Sequence, residues 1–128
     1  MTSAVHHIAV VDDEAPVRTM LGRLLRLADY QVASFGSGEE FLESLAKRIP
    51  ACVILDIHMP GLSGFDVKTR LRAQCTDIPV IFITASDDPS LDELVLEANG
   101  RALLRKPFSS EQLLRAVAAA LRTGTHHT

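Results

Sequence analysis

At 128 residues, 47% of them hydrophobic, the chain is long enough to bury one core and suits a single domain. Its 13 basic and 16 acidic residues leave a formal net charge of −3 with no basic block, so composition gives no support for nucleic-acid binding. There is no signal-peptide hydrophobic region and no apolar run long enough to span a membrane, which makes a cytoplasmic location the simplest reading.

Ile8-Ala9-Val10-Val11 is an apolar run that ends in Asp12-Asp13, the pattern of a buried strand closed by acids. The first helix is predicted from about Asp13-Glu14-Ala15-Pro16, Pro being favoured early in a helix, with Val17, Leu21, Leu24 and Ala28 as its core stripe. Gln31 to Phe35 reads as the second strand. Ser37-Gly38-Glu39-Glu40 has the spacing of a capping box and opens a helix with Phe41, Leu42 and Leu45 inside. The third strand is the continuous run from Ala51 to Asp56, with Cys52 inside it as a reduced core residue. Cys52 and Cys75 lack CxxC or metal-type spacing.

Pro60 to Gly64 forms a loop, and Phe65, Val67 and Leu71 mark the next helix. Val80-Ile81-Phe82-Ile83 is a fourth strand ending in Thr84. Asp88-Pro89 starts a helix whose stripe is Leu91, Leu94, Val95 and Ala98, closed by Asn99-Gly100, residues that tolerate a left-handed cap. Ala102-Leu103-Leu104 leads to Lys106, and Ser109 or Ser110 caps a fifth helix through Arg122. The prediction is one domain over residues 1–128, with a core from about 6 to 122 and a polar tail from 123 to 128. His126 and His127 in that tail, like His6 and His7, read as terminal residues rather than metal ligands.

Five strand–helix units with short connections imply an α/β fold, a parallel sheet covered by helices on both faces. Ligands of such open sheets sit at the carboxyl ends of the strands. Asp12, Asp13, Asp56, Thr84 and Lys106 all fall at that edge. A carboxylate such as Asp56 at the end of a buried strand is costly to desolvate unless a cation or donors meet it. Each residue has a plainer reading. Asp13 and Glu14 suit a helix cap, Thr84 an ordinary strand position, and Lys106 a solvated surface site. All of them holding together at four ends of one sheet edge is improbable.

The chain resembles a response-regulator receiver domain from about Ile8 to Leu121. The resemblance is carried by Val10-Val11-Asp12-Asp13-Glu14, Leu55-Asp56-Ile57-His58-Met59-Pro60-Gly61-Leu62-Ser63-Gly64-Phe65-Asp66, Ile83-Thr84-Ala85 and Lys106-Pro107-Phe108. It implies a doubly wound, flavodoxin-like (βα)5 sheet of order 2-1-3-4-5. It implies that Asp56 accepts a phosphoryl group from a sensor histidine kinase or histidine phosphotransfer protein. Asp12 and Asp13 would hold Mg²⁺ with Asp56 and the backbone carbonyl of His58, and Thr84 and Lys106 would contact the phosphoryl group. It also favours a cis bond at Lys106-Pro107. His58, Met59 and Ser86 would flank the approach to Asp56 and tune phosphoryl loss.

One position departs from the family pattern. Receivers usually carry an aromatic residue three positions before the active-site lysine, and here that residue is Leu103. Output is then expected through the fourth helix, its flanking loops and the fifth helix, residues 88–122, as a face for a downstream protein or a second copy. The apolar residues of the fifth helix, Leu113 through Leu121, exceed one narrow stripe; exposed methyls on an Ala-rich helix are the plainer account. No linker or effector sequence follows the fifth helix, so the chain reads as a stand-alone receiver or as a fragment of a longer regulator. Two alternatives stay open. One is a pseudo-receiver that binds protein without phosphorylation. The other is a small aspartyl-phosphate phosphohydrolase, a class that usually places an acid two residues after the nucleophile, where this chain has His58.

Overall fold

Side chains alternate across a strand, so a strand that is apolar at every position must be covered on both faces. The computed structural model describes residues 5–124. Along it run β1 (His7–Val11), α1 (Ala15–Leu27), β2 (Gln31–Phe35), α2 (Gly38–Ser44), β3 (Cys52–Asp56), α3 (Gly64–Ala73), β4 (Val80–Thr84), α4 (Ser90–Glu97), β5 (Ala102–Arg105) and α5 (Ser110–Gly124). The strands form one parallel sheet in the order β2-β1-β3-β4-β5, as the resemblance implies. Ile8, Val10, Ile54, Ile81 and Ile83 pack with Leu21 and Leu25 of α1 and Leu113 and Val117 of α5. Ala9, Val11, Val53, Leu55 and Phe82 pack with Phe41 of α2, Val67 and Leu71 of α3, and Leu91 and Val95 of α4. Full burial of each Val, Leu, Ile or Phe side chain among these contributes about 1.5–3 kcal/mol over exposure. Every residue of β3 and β4 is buried, whereas β2 and β5 are partly exposed as edge strands.

Three helices end by the same device. Asp29, Cys75 and Asn99 have positive φ after α1, α3 and α4. The next amides, of Tyr30, Thr76 and Gly100, donate to the carbonyls of Leu25, Leu71 and Val95 at 3.1, 2.9 and 2.9 Å. This is a Schellman closure, which satisfies carbonyls the helix leaves open. The sequence signals it at Asn99-Gly100; Asp29 and Cys75 carry no comparable signal.

Several local expectations are corrected. Leu94 is not part of the α4 stripe: it is 43% exposed, and the helix buries only Leu91 and Val95. Ala28 caps α1, and Leu25 takes the core place beside Leu21. The capping box at Ser37 is half made. Ser37 Oγ accepts from the Glu40 amide at 3.2 Å, but the Glu40 carboxylate takes the amide of Gly36 at 3.3 Å. Complete boxes stand at Ser63–Asp66 and Ser109–Gln112 instead. On α5, Leu113, Val117, Ala120 and Leu121 are buried and the other residues of its broad apolar set are half-buried. The bond between Lys106 and Pro107 is cis. Among the described residues no helix is long and apolar enough to cross a membrane. The tail histidines His126 and His127 lie outside the described residues.

Candidate functional site

Parallel strands bring their carboxyl ends to one edge, and that edge collects the chemistry. Asp12 follows β1 and is fully buried; Asp56 is the last residue of β3 and is 4% exposed; Thr84 is the last of β4 and is fully buried. Lys106 follows β5 and reaches across the sheet end. Its Nζ lies 3.0 Å from Asp12 Oδ2, 3.7 Å from Asp56 Oδ2 and 3.5 Å from Glu14 Oε1. Asp13 is exposed, yet one carboxylate oxygen each from Asp12, Asp13 and Asp56 lie within 4.8 Å of one another.

Backbone geometry fixes these side chains. Asp12 Oδ1 accepts the Glu14 amide at 2.9 Å, and the carbonyl of Asp12 accepts from Arg18 Nη1 at 2.6 Å. Glu14 is the N-cap residue of α1 but its side chain makes no capping bond; the capping account of the first acidic group gives way to Asp12 turning inward. Asp56 Oδ1 accepts the amide of His58 at 3.3 Å. The turn after β3 is held by Gly64, whose amide donates to the carbonyl of Ile57 at 2.9 Å. A Cβ at residue 64 would lie 2.5 Å from the carbonyl oxygen of Asp56, so the start of α3 packs on the strand end only because that position has no side chain. The hydroxyl of Thr84 accepts the amide of Ser86 at 3.0 Å.

The electrostatics follow from crowding. Burial, and next the charge of Asp12, push the Asp56 carboxyl up to about 7, against the pull of Lys106 and the His58 amide. Burial draws Lys106 down, but its bond to Asp12 and the charges of Asp56, Asp12 and Glu14 outweigh that and hold it above the usual lysine range. Three carboxylates faced by one ammonium leave excess negative charge, the condition a hard divalent cation relieves with oxygen ligands. The three-acid set therefore fits Mg²⁺.

Of the five side chains singled out at the strand ends, Asp12, Asp13, Asp56 and Lys106 are brought together, and Thr84 stands at the end of the neighbouring strand β4. Of the flanking residues, His58 is exposed and Ser86 half-buried, while Met59 is 9% exposed and packs in the core. Sequence reasoning missed Arg18 and Arg105. Arg18 bonds a backbone carbonyl, which leaves no trace in residue spacing. A cleft of about 540 Å³, lined by Lys68, Arg72, Asp77 and Arg101 among others, lies at the opposite edge of the sheet. The acid cluster, three carboxylates facing one ammonium, suits a compact charged group rather than an apolar organic ligand.

Known proteins share this sequence pattern and fold. Residues 8–118 match the family model for the response regulator receiver domain. The chain is 37% identical to nodulation protein W of Bradyrhizobium diazoefficiens, covering 88% of this chain and 50% of that protein. It is 39% identical to response regulator MprA of Mycolicibacterium vanbaalenii, covering 92% of this chain and 51% of that one. The crystal structure of a response regulator receiver protein from Burkholderia phymatum superposes with a TM-score of 0.83 at 43% identity, over 91% of this chain and 95% of the other. The chain spans about half the length of the curated relatives it matches.

Proposed function

The chain belongs to the response-regulator receiver family, and on that premise we propose that Asp56 is its phosphoacceptor, served by Asp12, Asp13, Thr84 and Lys106. Receivers are signalling switches of two-component systems and bind Mg²⁺ through an acidic cluster. The observation that carries the assignment to Asp56 is its position: a nearly buried carboxylate that shares Lys106 with Asp12 and lies within metal-ligand reach of Asp12 and Asp13.

A phosphohistidine on a kinase or phosphotransfer protein presents phosphorus to the acid cluster. A carboxylate oxygen of Asp56 forms the new O–P bond as the N–P bond breaks, and the leaving imidazole keeps the electron pair and takes up a proton on the donor protein. Such transfers need positioning and charge stabilisation more than covalent help. Lys106 Nζ, 3.7 Å from Asp56 Oδ2, neutralises charge on the phosphoryl oxygens. The Thr84 hydroxyl donates to one of them. The His58 amide orients the carboxylate. Asp12, Asp13, Asp56 and the His58 carbonyl would hold Mg²⁺, which would supply the remaining positive charge against the phosphoryl oxygens. The acyl phosphate then shifts a two-state equilibrium and alters affinity for a downstream partner.

The test is Mg²⁺-dependent transfer from acetyl phosphate, read by intact mass. A phosphate-sized gain is expected in wild type and none in Asp56→Asn. An unchanged gain in Asp56→Asn would move the acceptor elsewhere. No gain in wild type, from acetyl phosphate or a phosphohistidine donor, would favour a pseudo-receiver.

A further inference from the structure

Arg105 ends β5, and its guanidinium bridges to the β4–α4 loop and to α4 itself. Nε donates to the Ser86 carbonyl at 3.3 Å and Nη2 to the Asp88 carbonyl at 2.8 Å. Nη1 and Nη2 each donate to a carboxylate oxygen of Asp92 at 3.3 Å. The same loop is tied to the site, because the amide of Ser86 donates to Thr84 Oγ1 at 3.0 Å. Thr84 is the register partner of Arg105 across β4 and β5. A continuous path thus runs from the Thr84 hydroxyl through both polar groups of the Ser86 backbone, through Arg105, to Asp92 in the first turn of α4. Leu103, two residues earlier, is half-buried against the α4 side of the core and offers no polar group.

We propose that Arg105 is a positioning residue that carries the state of the Thr84 hydroxyl to α4, a task for which Leu103 is unequipped. The proposal rests on the reading that Thr84 meets a phosphoryl group on Asp56. When that hydroxyl turns to a phosphoryl oxygen, the amide of Ser86 loses its acceptor and the backbone on both sides of residue 86 is free to reorient, moving the carbonyl that Arg105 holds. A guanidinium is planar, with donors in fixed directions; it cannot follow Ser86 without shifting Asp92. Lysine would keep the charge but not the fork. Asp92 is well exposed, 62% at its side chain, so the pair adds little to stability and its consequence is geometric. What it orients is the helix carrying the exposed Leu94 and Leu96.

The test is amide chemical shifts of ¹⁵N-labelled wild type, Arg105→Met, Arg105→Lys and Asp92→Ala, with and without Mg²⁺ and beryllofluoride as the phosphoryl mimic. The His58 and Ser86 amides should respond in all four proteins. Displacement of the Leu94 and Leu96 amides should fall below about half of wild type in Arg105→Met and Asp92→Ala, and less far in Arg105→Lys. Wild-type displacement at Leu94 and Leu96 in both Arg105→Met and Asp92→Ala would overturn the proposal. Should Arg105→Met fail to fold, the surface change Asp92→Ala decides the matter. A wild type whose His58 amide ignores the mimic, and which gains no phosphoryl mass, overturns the phosphoacceptor reading and the coupling with it; an intact site response with an undiminished α4 response overturns the coupling alone.

Discussion

Asp12 is fully buried and yet both its carboxylate oxygens are met, one by Lys106 at 3.0 Å and one by the Glu14 amide at 2.9 Å. A carboxyl group so deeply buried is tolerated because a cationic partner arrives from 94 residues away in sequence. The acids themselves are legible in the sequence, because a charge at the end of an apolar strand contradicts its surroundings. Arg18 and Arg105 are not, since Arg18 bonds a backbone carbonyl and Arg105 bonds two carbonyls and a carboxylate that only the fold brings to it. The cysteines divide in the same way. Cys52 is buried in β3 and burial pushes its thiol up to about 12, while Cys75 is exposed at the end of α3. A thiol with that pKa stays protonated, and unreactive, at neutral pH. Titration of the native protein with a disulfide reagent should therefore modify Cys75 alone, and Cys52 only in denaturant. Rapid modification of both thiols in the folded protein would contradict the placement of Cys52 in the sheet.

At the scale of elements, the site depends on how α3 meets β3. The Cβ that Gly64→Ala would add lies 2.5 Å from the Asp56 carbonyl oxygen and 3.0 Å from Ile57 Cα. Those are backbone atoms and cannot swing aside, so the turn carrying Asp56 and His58 must shift. Overpacking of this kind costs about 1–3 kcal/mol. Gly36→Ala is the control, because its Cβ would meet only the movable end of Arg18 at 3.4 Å. Gly64→Ala should lower the urea midpoint and slow phosphoryl incorporation; Gly36→Ala should change neither appreciably. Equal midpoints for the two variants would mean the α3 entry is looser than its contacts imply. The order of elements was readable because period-2 and period-3.6 runs alternate without interruption. Helix stripes were less so: Leu94 fits the apolar spacing of α4 but faces solvent, because a short helix on the edge of its layer buries a narrower face than its composition offers. The cap at Ser63 went unread because its partner is Asp66 rather than the longer Glu or Gln of the usual box.

For the whole molecule, the acid cluster works against the fold in the absence of a cation. Asp12 and Asp13 follow β1 and Asp56 ends β3, neighbouring strands at the centre of the sheet. Repulsion among them is removed when the sheet unfolds and the acids separate, so it subtracts from the stability of the folded, metal-free chain. A cation held by all three binds only the folded state and stabilises it by linkage, by about 1.4 kcal/mol at ten times its dissociation constant. In a cooperative fold that gain belongs to every element, and it should raise the thermal midpoint by about 3–6 °C. Asp13→Asn separates the two effects, because residue 13 is exposed and its replacement disturbs no core packing. The variant should be slightly more stable than wild type without Mg²⁺, since one of the repelling charges is gone, and should gain far less when Mg²⁺ is added. Urea denaturation of both proteins, with and without Mg²⁺, tests both signs at once, and an unchanged denaturant slope would assign the shift to binding rather than to altered compactness. If wild type and Asp13→Asn gained equally from Mg²⁺, the cation would be acting elsewhere than at the strand-end cluster.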